Sequence, residues 1–307
     1  MTQPVADASL PNSPFLRIAV LGAGTMGHGI AHAAALALAS HGGSANAASV
    51  CLFDIDAVAL ARAIANVSAN LDAGVARGKL SASARDGALA ILRTSTVLAD
   101  AVHGADLVIE AVPERVELKR QLLAAAAAAA PTTCVFATNT SSIPLRKLVS
   151  ALPDATRFCG LHFFNPVHIQ KLVEVVQAAD TGVATLDAAV AFARFMGKEP
   201  IVVRDVAGFA SSRLGLILGL EAIRMLEEGV ASAADIDKAM SLGYRHPMGP
   251  LALTDLIGLD VRLAIAETLA LEIDPVRFAP PALLRELVAA GKLGRKSGEG
   301  FYRYDEG

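Results

Sequence analysis

The sequence predicts an α/β chain: a mostly parallel sheet wound with helices and carrying an inserted helical hairpin, followed by an all-helical C-terminal domain. Three observations predict it. Short apolar runs rich in β-branched residues alternate with helical patterns up to Val203, as βαβ units do. The first run leads directly into a glycine-rich turn and a helix-forming segment. After Asp205 the strand-like runs stop and helical periodicity takes over. The expected organisation is a disordered lead-in over 1–14, a dinucleotide-binding domain over 15–205 and a helical domain over 206–307. At 307 residues the chain has ample core for this division.

The first segment is polar and carries three prolines, without the basic start and apolar stretch of a secretory signal. Arg17-Ile18-Ala19-Val20-Leu21 then reads as a strand, Gly22-Ala23-Gly24-Thr25-Met26-Gly27 as a tight turn, and the Ala-rich residues from Met26 to Ala39 as a helix. Strand, glycine turn and helix are the context that a GxGxxG dinucleotide fingerprint requires, and they make the fold Rossmann-type. Gly22 permits the turn, Gly24 lets a pyrophosphate approach the backbone, and Gly27 lets helix and strand pack closely. Thr25 and Met26 open the helix, whose unpaired N–H groups and positive dipole end suit phosphates.

Val50-Cys51-Leu52-Phe53 is the second strand and ends in Asp54. A carboxylate there hydrogen-bonds a ribose 2′-hydroxyl and repels a 2′-phosphate, selecting NAD over NADP. Its distance from the turn exceeds the usual spacing, which a loop-like insertion over 40–46 explains. From Asp56 to Arg93 the pattern is helical, broken at Gly78-Lys79 and restarted at Ser81, a helix cap. Arg62, Arg77, Lys79 and Arg85 make this hairpin basic; the charges are either a solvated face or the seat of a phosphorylated ligand.

Leu107-Val108-Ile109-Glu110-Ala111-Val112 is a buried parallel strand, and a helix runs from Pro113-Glu114 through Lys119 to Ala130. The next strand, Cys134 to Ala137, delivers Asn139 and Ser141 at its carboxyl end, the sheet edge where ligands bind. His162 ends the following run, Glu174 stands among valines in the one after, and Ile201-Val202-Val203 is the last strand. A histidine titrates near neutral pH and serves as a base. A carboxylate behind it fixes the tautomer and stabilises the imidazolium, and Ser141 exchanges a hydrogen bond with a substrate oxygen. Burying Glu174 alone is costly; its partner is either Lys171 or His162.

In the C-terminal part, 209–228, a helix capped by Ser232, 251–271 with a bend near Gly258, and a last segment from Pro280 to Ala290 are helical. Their apolar residues exceed one small core, which suggests a dimer interface.

Composition removes other classes. Hydrophobic residues make up 53%, charged residues 19%, and the net charge is −3, without the clustered cations of a nucleic-acid surface. No run reaches the ~18 apolar residues of a membrane helix. Cys51, Cys134 and Cys159 lie in apolar runs without metal spacing; buried thiols in a reducing, cytoplasmic setting are expected, and no metal.

These stretches together resemble the short-form L-3-hydroxyacyl-CoA dehydrogenases of the 3-hydroxybutyryl-CoA dehydrogenase kind. The matching residues are the glycine turn, Val108 to Glu114, Thr138-Asn139-Thr140-Ser141-Ser142 and His162-Phe163-Phe164-Asn165-Pro166. Further matches are Gly208-Phe209, Arg213, His246-Pro247-Met248-Gly249-Pro250 and Gly298-Glu299-Gly300-Phe301-Tyr302. The resemblance implies NAD as cofactor, an L-3-hydroxyacyl-CoA as substrate, a His162–Glu174 catalytic pair, and a place in fatty acid metabolism. It places Ser141 and Asn165 by the substrate and Glu110, Lys119 and Asn139 on the cofactor side. It gives the basic hairpin, with Lys79, a part in CoA binding, and makes the helical domain a homodimer interface. The family has Gly-Phe-x-x-Asn-Arg where this chain has Gly208-Phe209-Ala210-Ser211-Ser212-Arg213, so Ser212 stands at a substrate-contacting Asn position. A dehydrogenase of a hydroxy acid without CoA, and an NAD-binding protein with little turnover, remain the alternatives.

Overall fold

A computed structural model describes residues 13–40 and 48–304. The expected disordered lead-in, apart from Ser13 and Pro14, and most of the expected insertion before Val50 lie outside the described residues. The chain divides into two compact units, Met1–Asp205 and Val206–Gly307.

The first unit runs β1 (Arg17–Leu21), α1 (Thr25–Ser40), β2 (Ser49–Phe53), α2 (Ala57–Ala76), α3 (Ala82–Ile91), β3 (Leu92–Ser95) and α4 (Leu98–Val102). It continues with β4 (Leu107–Glu110), α5 (Val116–Ala129), β5 (Val135–Thr138), β6 (Phe158–Phe163), β7 (Leu172–Gln177), α6 (Val183–Phe195) and β8 (Glu199–Arg204). One eight-stranded sheet has the order β3-β2-β1-β4-β5-β6-β7-β8. Every neighbouring pair is parallel except β6 and β7. From Ile18, Leu107 and Val135 onward, strands β1, β4 and β5 are buried at every position, as inner parallel strands are.

The hairpin forms where its caps predict. Asp56 accepts the Val58 N–H at 2.8 Å and starts α2; Ser81 accepts the Ala84 N–H at 3.1 Å and starts α3. The helical reading to Arg93 overruns the structure by two residues: Leu92 and Arg93 open β3, which pairs with β2. This edge strand is only partly buried and carries Arg93 and Thr94, so it lacks the apolar run that marks the inner strands. The three cysteines are free and buried, and burial pushes the Cys134 and Cys159 thiols up to about 12.

The second unit is helical: α7 (Ser211–Glu227), α8 (Ala233–Lys238), α9 (Pro250–Ile257), α10 (Leu259–Glu272) and α11 (Ala282–Ala289). Leu216, Leu220, Ile223, Leu251, Leu259, Leu269 and Phe278 are among its buried core. The expected bend near Gly258 is a full break between α9 and α10, with Gly258 at φ +107°, a conformation that favours glycine. Two buried carboxylates fix the unit. Asp237 accepts the Leu251 and Ala252 N–H groups at the start of α9. Asp255 accepts the Phe301 and Tyr302 N–H groups and the Tyr304 hydroxyl, which ties the terminal segment to α9. Among the described residues, no helix is long and apolar enough to cross a membrane.

Candidate active site

A cavity of about 640 Å³ opens at the carboxyl ends of the parallel strands of the first unit, lined among others by Gly22, Gly24, Thr25, Met26, Asp54, Asn139, Ser141, His162 and Asn165. Most of the residues that sequence reading assigned to cofactor and to chemistry in this unit line that one cavity, Lys119 among them, whereas Gly27, Glu110 and Glu174 do not.

The glycine turn is shaped for a close ligand. A Cβ on Gly27 would stand 1.7 Å from the Gly22 carbonyl oxygen, and one on Gly22 would stand 2.8 Å from the Ala111 oxygen. Both positions thus require glycine for close backbone packing. Gly24 is different: a Cβ there would meet nothing within 4 Å, so its absence leaves open space before the first turn of α1. Asp54, at the end of β2, accepts the Ala23 N–H at 2.8 Å and the Asp56 N–H at 3.0 Å. Its carboxylate is fixed against the turn while it lines the cavity. An open cradle, a helix N-terminus and a fixed carboxylate fit a dinucleotide with a free 2′-hydroxyl.

His162 and Glu174 lie directly opposite in the antiparallel β6–β7 register, so their side chains share a face of the sheet. His162 Nδ1 is 2.7 Å from Glu174 Oε2. The carboxylate is wholly buried and the imidazole 6% exposed. Of the two partners open to Glu174 in the sequence, the structure supplies His162. Gly160 makes the close pairing possible two residue pairs away: a Cβ there would come within 2.7 Å of Val176 Cβ. Asn139 joins β5 to this hairpin, its amide oxygen accepting the Phe163 N–H at 2.9 Å.

Glu110 and Lys119 take a different position from the simple cofactor-side reading. Lys119 reaches the cavity lining, but its ammonium donates to both Glu110 oxygens, at 2.8 and 3.0 Å, and to the Val112 carbonyl. Glu110 is fully buried and also accepts the Thr138 hydroxyl at 2.6 Å and the Val112 N–H at 2.7 Å. It stands behind the residues that line the cavity.

Glu114 was not singled out by sequence reading. It lines the cavity, lies 3.2 Å from Lys119 Nζ, and accepts the Thr140 hydroxyl and the Ser141 and Ser142 N–H groups. Burial alone would raise its carboxyl; the Lys119 ammonium and the hydrogen bonds from Thr140, Lys119 and Ser141 outweigh that and hold it below the ordinary value. The loop bearing Ser141 is thus pinned by a charged acceptor. The available signal was Pro113-Glu114 at the carboxyl end of a buried strand, the same edge that gave Asn139 and Ser141. Arg62 also lines the cavity.

Lys79 does not line it; the residue is exposed on the turn between α2 and α3. Ser212 belongs to the second unit, in the first turn of α7. Among the described residues no cluster of His, Cys, Asp and Glu could hold a metal ion.

Residues 17–206 match the NAD-binding domain of 3-hydroxyacyl-CoA dehydrogenase, and residues 208–304 match the C-terminal domain of the same enzyme. A probable 3-hydroxybutyryl-CoA dehydrogenase of Bacillus subtilis is 38% identical over 94% of this chain and 98% of its own length. The 3-hydroxyadipyl-CoA dehydrogenase of Escherichia coli is 42% identical over 93% of this chain, which spans 58% of that longer protein. The crystal structure of (S)-3-hydroxybutyryl-CoA dehydrogenase from Ralstonia eutropha superimposes with a TM-score of 0.89 at 39% identity, covering 95% of this chain and all of that one.

Proposed function

The chain belongs to the 3-hydroxyacyl-CoA dehydrogenase family, an NAD-dependent oxidoreductase family, and from that premise we propose that His162 and Glu174 are its catalytic pair. The observation that carries this reading is their buried 2.7 Å contact at the wall of the cavity that also holds the glycine turn.

When bound, NAD supplies the hydride acceptor. The chain does the rest. Glu174 engages Nδ1, so Nε2 of His162 takes the proton of the substrate 3-hydroxyl as C3 is oxidised. The imidazolium that results is balanced by the carboxylate behind it. Ser141, held through Glu114, hydrogen-bonds the reacting oxygen, and Asn165 holds the substrate beside it. In reduction the same groups act in reverse, with protonated His162 as the acid. Glu110, Lys119 and Asn139 support the cofactor side, Lys79 meets the CoA phosphates, and Ser212 contacts the substrate. The helical unit mediates a homodimer; exposed Leu214, Leu218 and Leu271 on α7 and α10 support that. The setting is cytoplasmic.

The deciding experiment follows NADH absorbance with acetoacetyl-CoA, alongside acetoacetate and a truncated acetoacetyl thioester. Turnover confined to the free acid would remove the CoA part of the reading, and no turnover with any of them would remove the reading itself. Ser212 refines the same assay. A neutral hydrogen bond is worth ~0.5–1.5 kcal/mol net, and one kcal/mol is about fivefold in rate. Ser212→Asn is therefore expected to raise kcat/KM for acetoacetyl-CoA several-fold, and Ser212→Ala to lower it modestly. A fall with Asn would mean that the serine is fitted to a site of another shape.

Asp54 sets the cofactor. The enzyme is expected to prefer NADH over NADPH, because a 2′-phosphate would meet the Asp54 carboxylate. Comparing kcat/KM for the two cofactors checks this, and equal or better efficiency with NADPH would exclude it.

A further inference from the structure

Arg62 lines the cavity yet takes no part in the chemistry. The charged and titratable residues of that lining are Asp54, Arg62, Glu114, Lys119 and His162. Three of them are engaged by partners on the protein. Lys119 donates to Glu110 and to the Val112 carbonyl and lies 3.2 Å from Glu114. Glu114 also accepts the Ser141 and Ser142 N–H groups, and His162 is held by Glu174. Arg62 has no ion pair among the described residues. Asp54 accepts the Ala23 and Asp56 N–H groups and no cation among the described residues. A carboxylate and a guanidinium therefore line one cavity without neutralising each other.

The start of α2 brings them to the same end of it. Asp54 follows β2, and Asp56, whose N–H it accepts, caps α2. Ala59 and Arg62, three residues apart, share the face of α2 that lines the cavity, about 4.5 Å apart along the axis. Helical side chains tilt toward the helix N-terminus, so that of Arg62 leans back over Ala59 toward Asp54. Ala59 carries only a methyl group and leaves the space between the two charges open.

We propose that Arg62 is a latent counter-charge for a 2′-phosphate on the adenosine ribose, so that the exclusion of NADP rests on Asp54 alone. This rests on the reading that a dinucleotide lies along the glycine turn with its ribose at Asp54. A carboxylate at that place repels a 2′-phosphate, whereas a nearby arginine accommodates one. The guanidinium fork offers a phosphate parallel charge-assisted hydrogen bonds. With both groups present the carboxylate, fixed by two backbone N–H groups, stands nearest the ribose and decides. Arg62 is exposed, so no burial cost stands against its meeting a ligand.

The test measures binding rather than turnover. Dissociation constants for NADH and NADPH come from fluorescence titration, and those for 5′-AMP and adenosine 2′,5′-bisphosphate from calorimetry. The proteins are wild type, Asp54→Asn, Arg62→Ala and the double variant. Asparagine keeps the size of the side chain and an oxygen for the Ala23 N–H. Asp54→Asn is expected to bind NADPH about tenfold or more tighter than wild type does, the usual worth of a charge-assisted hydrogen bond. Adding Arg62→Ala should abolish most of that gain and leave NADH affinity nearly unchanged. Arg62→Ala alone should lower the affinity for adenosine 2′,5′-bisphosphate relative to 5′-AMP, a ratio that stays informative if Asp54→Asn fails to fold. An Asn variant that gains nothing for NADPH, or a gain that survives Arg62→Ala, overturns the proposal. So does an Arg62→Ala variant that loses affinity for free CoA while both nucleotide ratios stand, since the cation would then serve CoA. Wild type that binds neither NADH nor 5′-AMP removes the cofactor reading and this inference with it; NADH binding with ratios indifferent to Arg62 removes the inference alone.

Discussion

Replacing His162 by Gln is expected to lower turnover by ~10²–10⁴-fold, the usual cost of removing a positioned general base. The amide keeps a polar side chain of similar reach but cannot take a proton at neutral pH. NAD binding should survive nearly intact, because the turn over 22–27 and Asp54 are separate from β6. Glu174→Gln should also be severely impaired. The imidazolium would lose its counter-charge, and a neutral amide in that wholly buried position does not favour one tautomer as a carboxylate does. Single-turnover measurement of hydride transfer, with NADH affinity from fluorescence titration, separates the two effects. Near-normal chemistry in either variant would show that the base lies elsewhere.

The largest expected loss of stability is at Lys119. Lys119→Met removes the only ammonium bonded to Glu110 among the described residues, and Glu110 is a carboxylate with no exposure. Breaking one side of a buried ion pair typically costs about 3–5 kcal/mol, since the remaining charge is uncompensated. For a domain of this size that corresponds to a fall of roughly 10 °C in Tm. The double variant Glu110→Leu/Lys119→Met should recover much of the loss, because no buried charge then remains. Thermal unfolding of wild type, both single variants and the double variant closes the cycle. A single variant within 1 °C of wild type would mean that water or a rearranged Glu114 compensates Glu110.

Local signals made much of this legible. The turn from β1 into α1, the Ser81 cap and the carboxyl-edge position of Asn139 and Ser141 are written in short consecutive stretches, where periodicity, glycine placement and capping act directly. What remained hidden depends on partners far apart in the chain. Glu110 meets Lys119 nine residues on and Thr138 twenty-eight residues on, and no local pattern announces a buried network. Nor did the run of valines around Glu174 disclose that β7 turns back antiparallel while β8 returns to parallel. Strand β3 carries a single apolar residue, and helix α4, at 5 residues, is too short to show a helical period. Glu114 looked like an ordinary helix-start acid until Thr140, Ser141 and Ser142 were seen to converge on it.

The opposition of His162 and Glu174 across β6 and β7 bears on how this chain tolerates insertions and deletions. Their separation of twelve positions is set by the connection over 164–171, whereas their contact is set by strand pairing. Residues added to the connection would change the count and leave the contact; a single residue lost from β7 before Glu174 would carry a valine into its place and turn the carboxylate to the opposite face. Tolerance in a library of single-residue indels should therefore fall abruptly at the strand boundaries. Sequence searches keyed to the twelve-residue interval would pass over relatives with longer connections in which the same two side chains still meet.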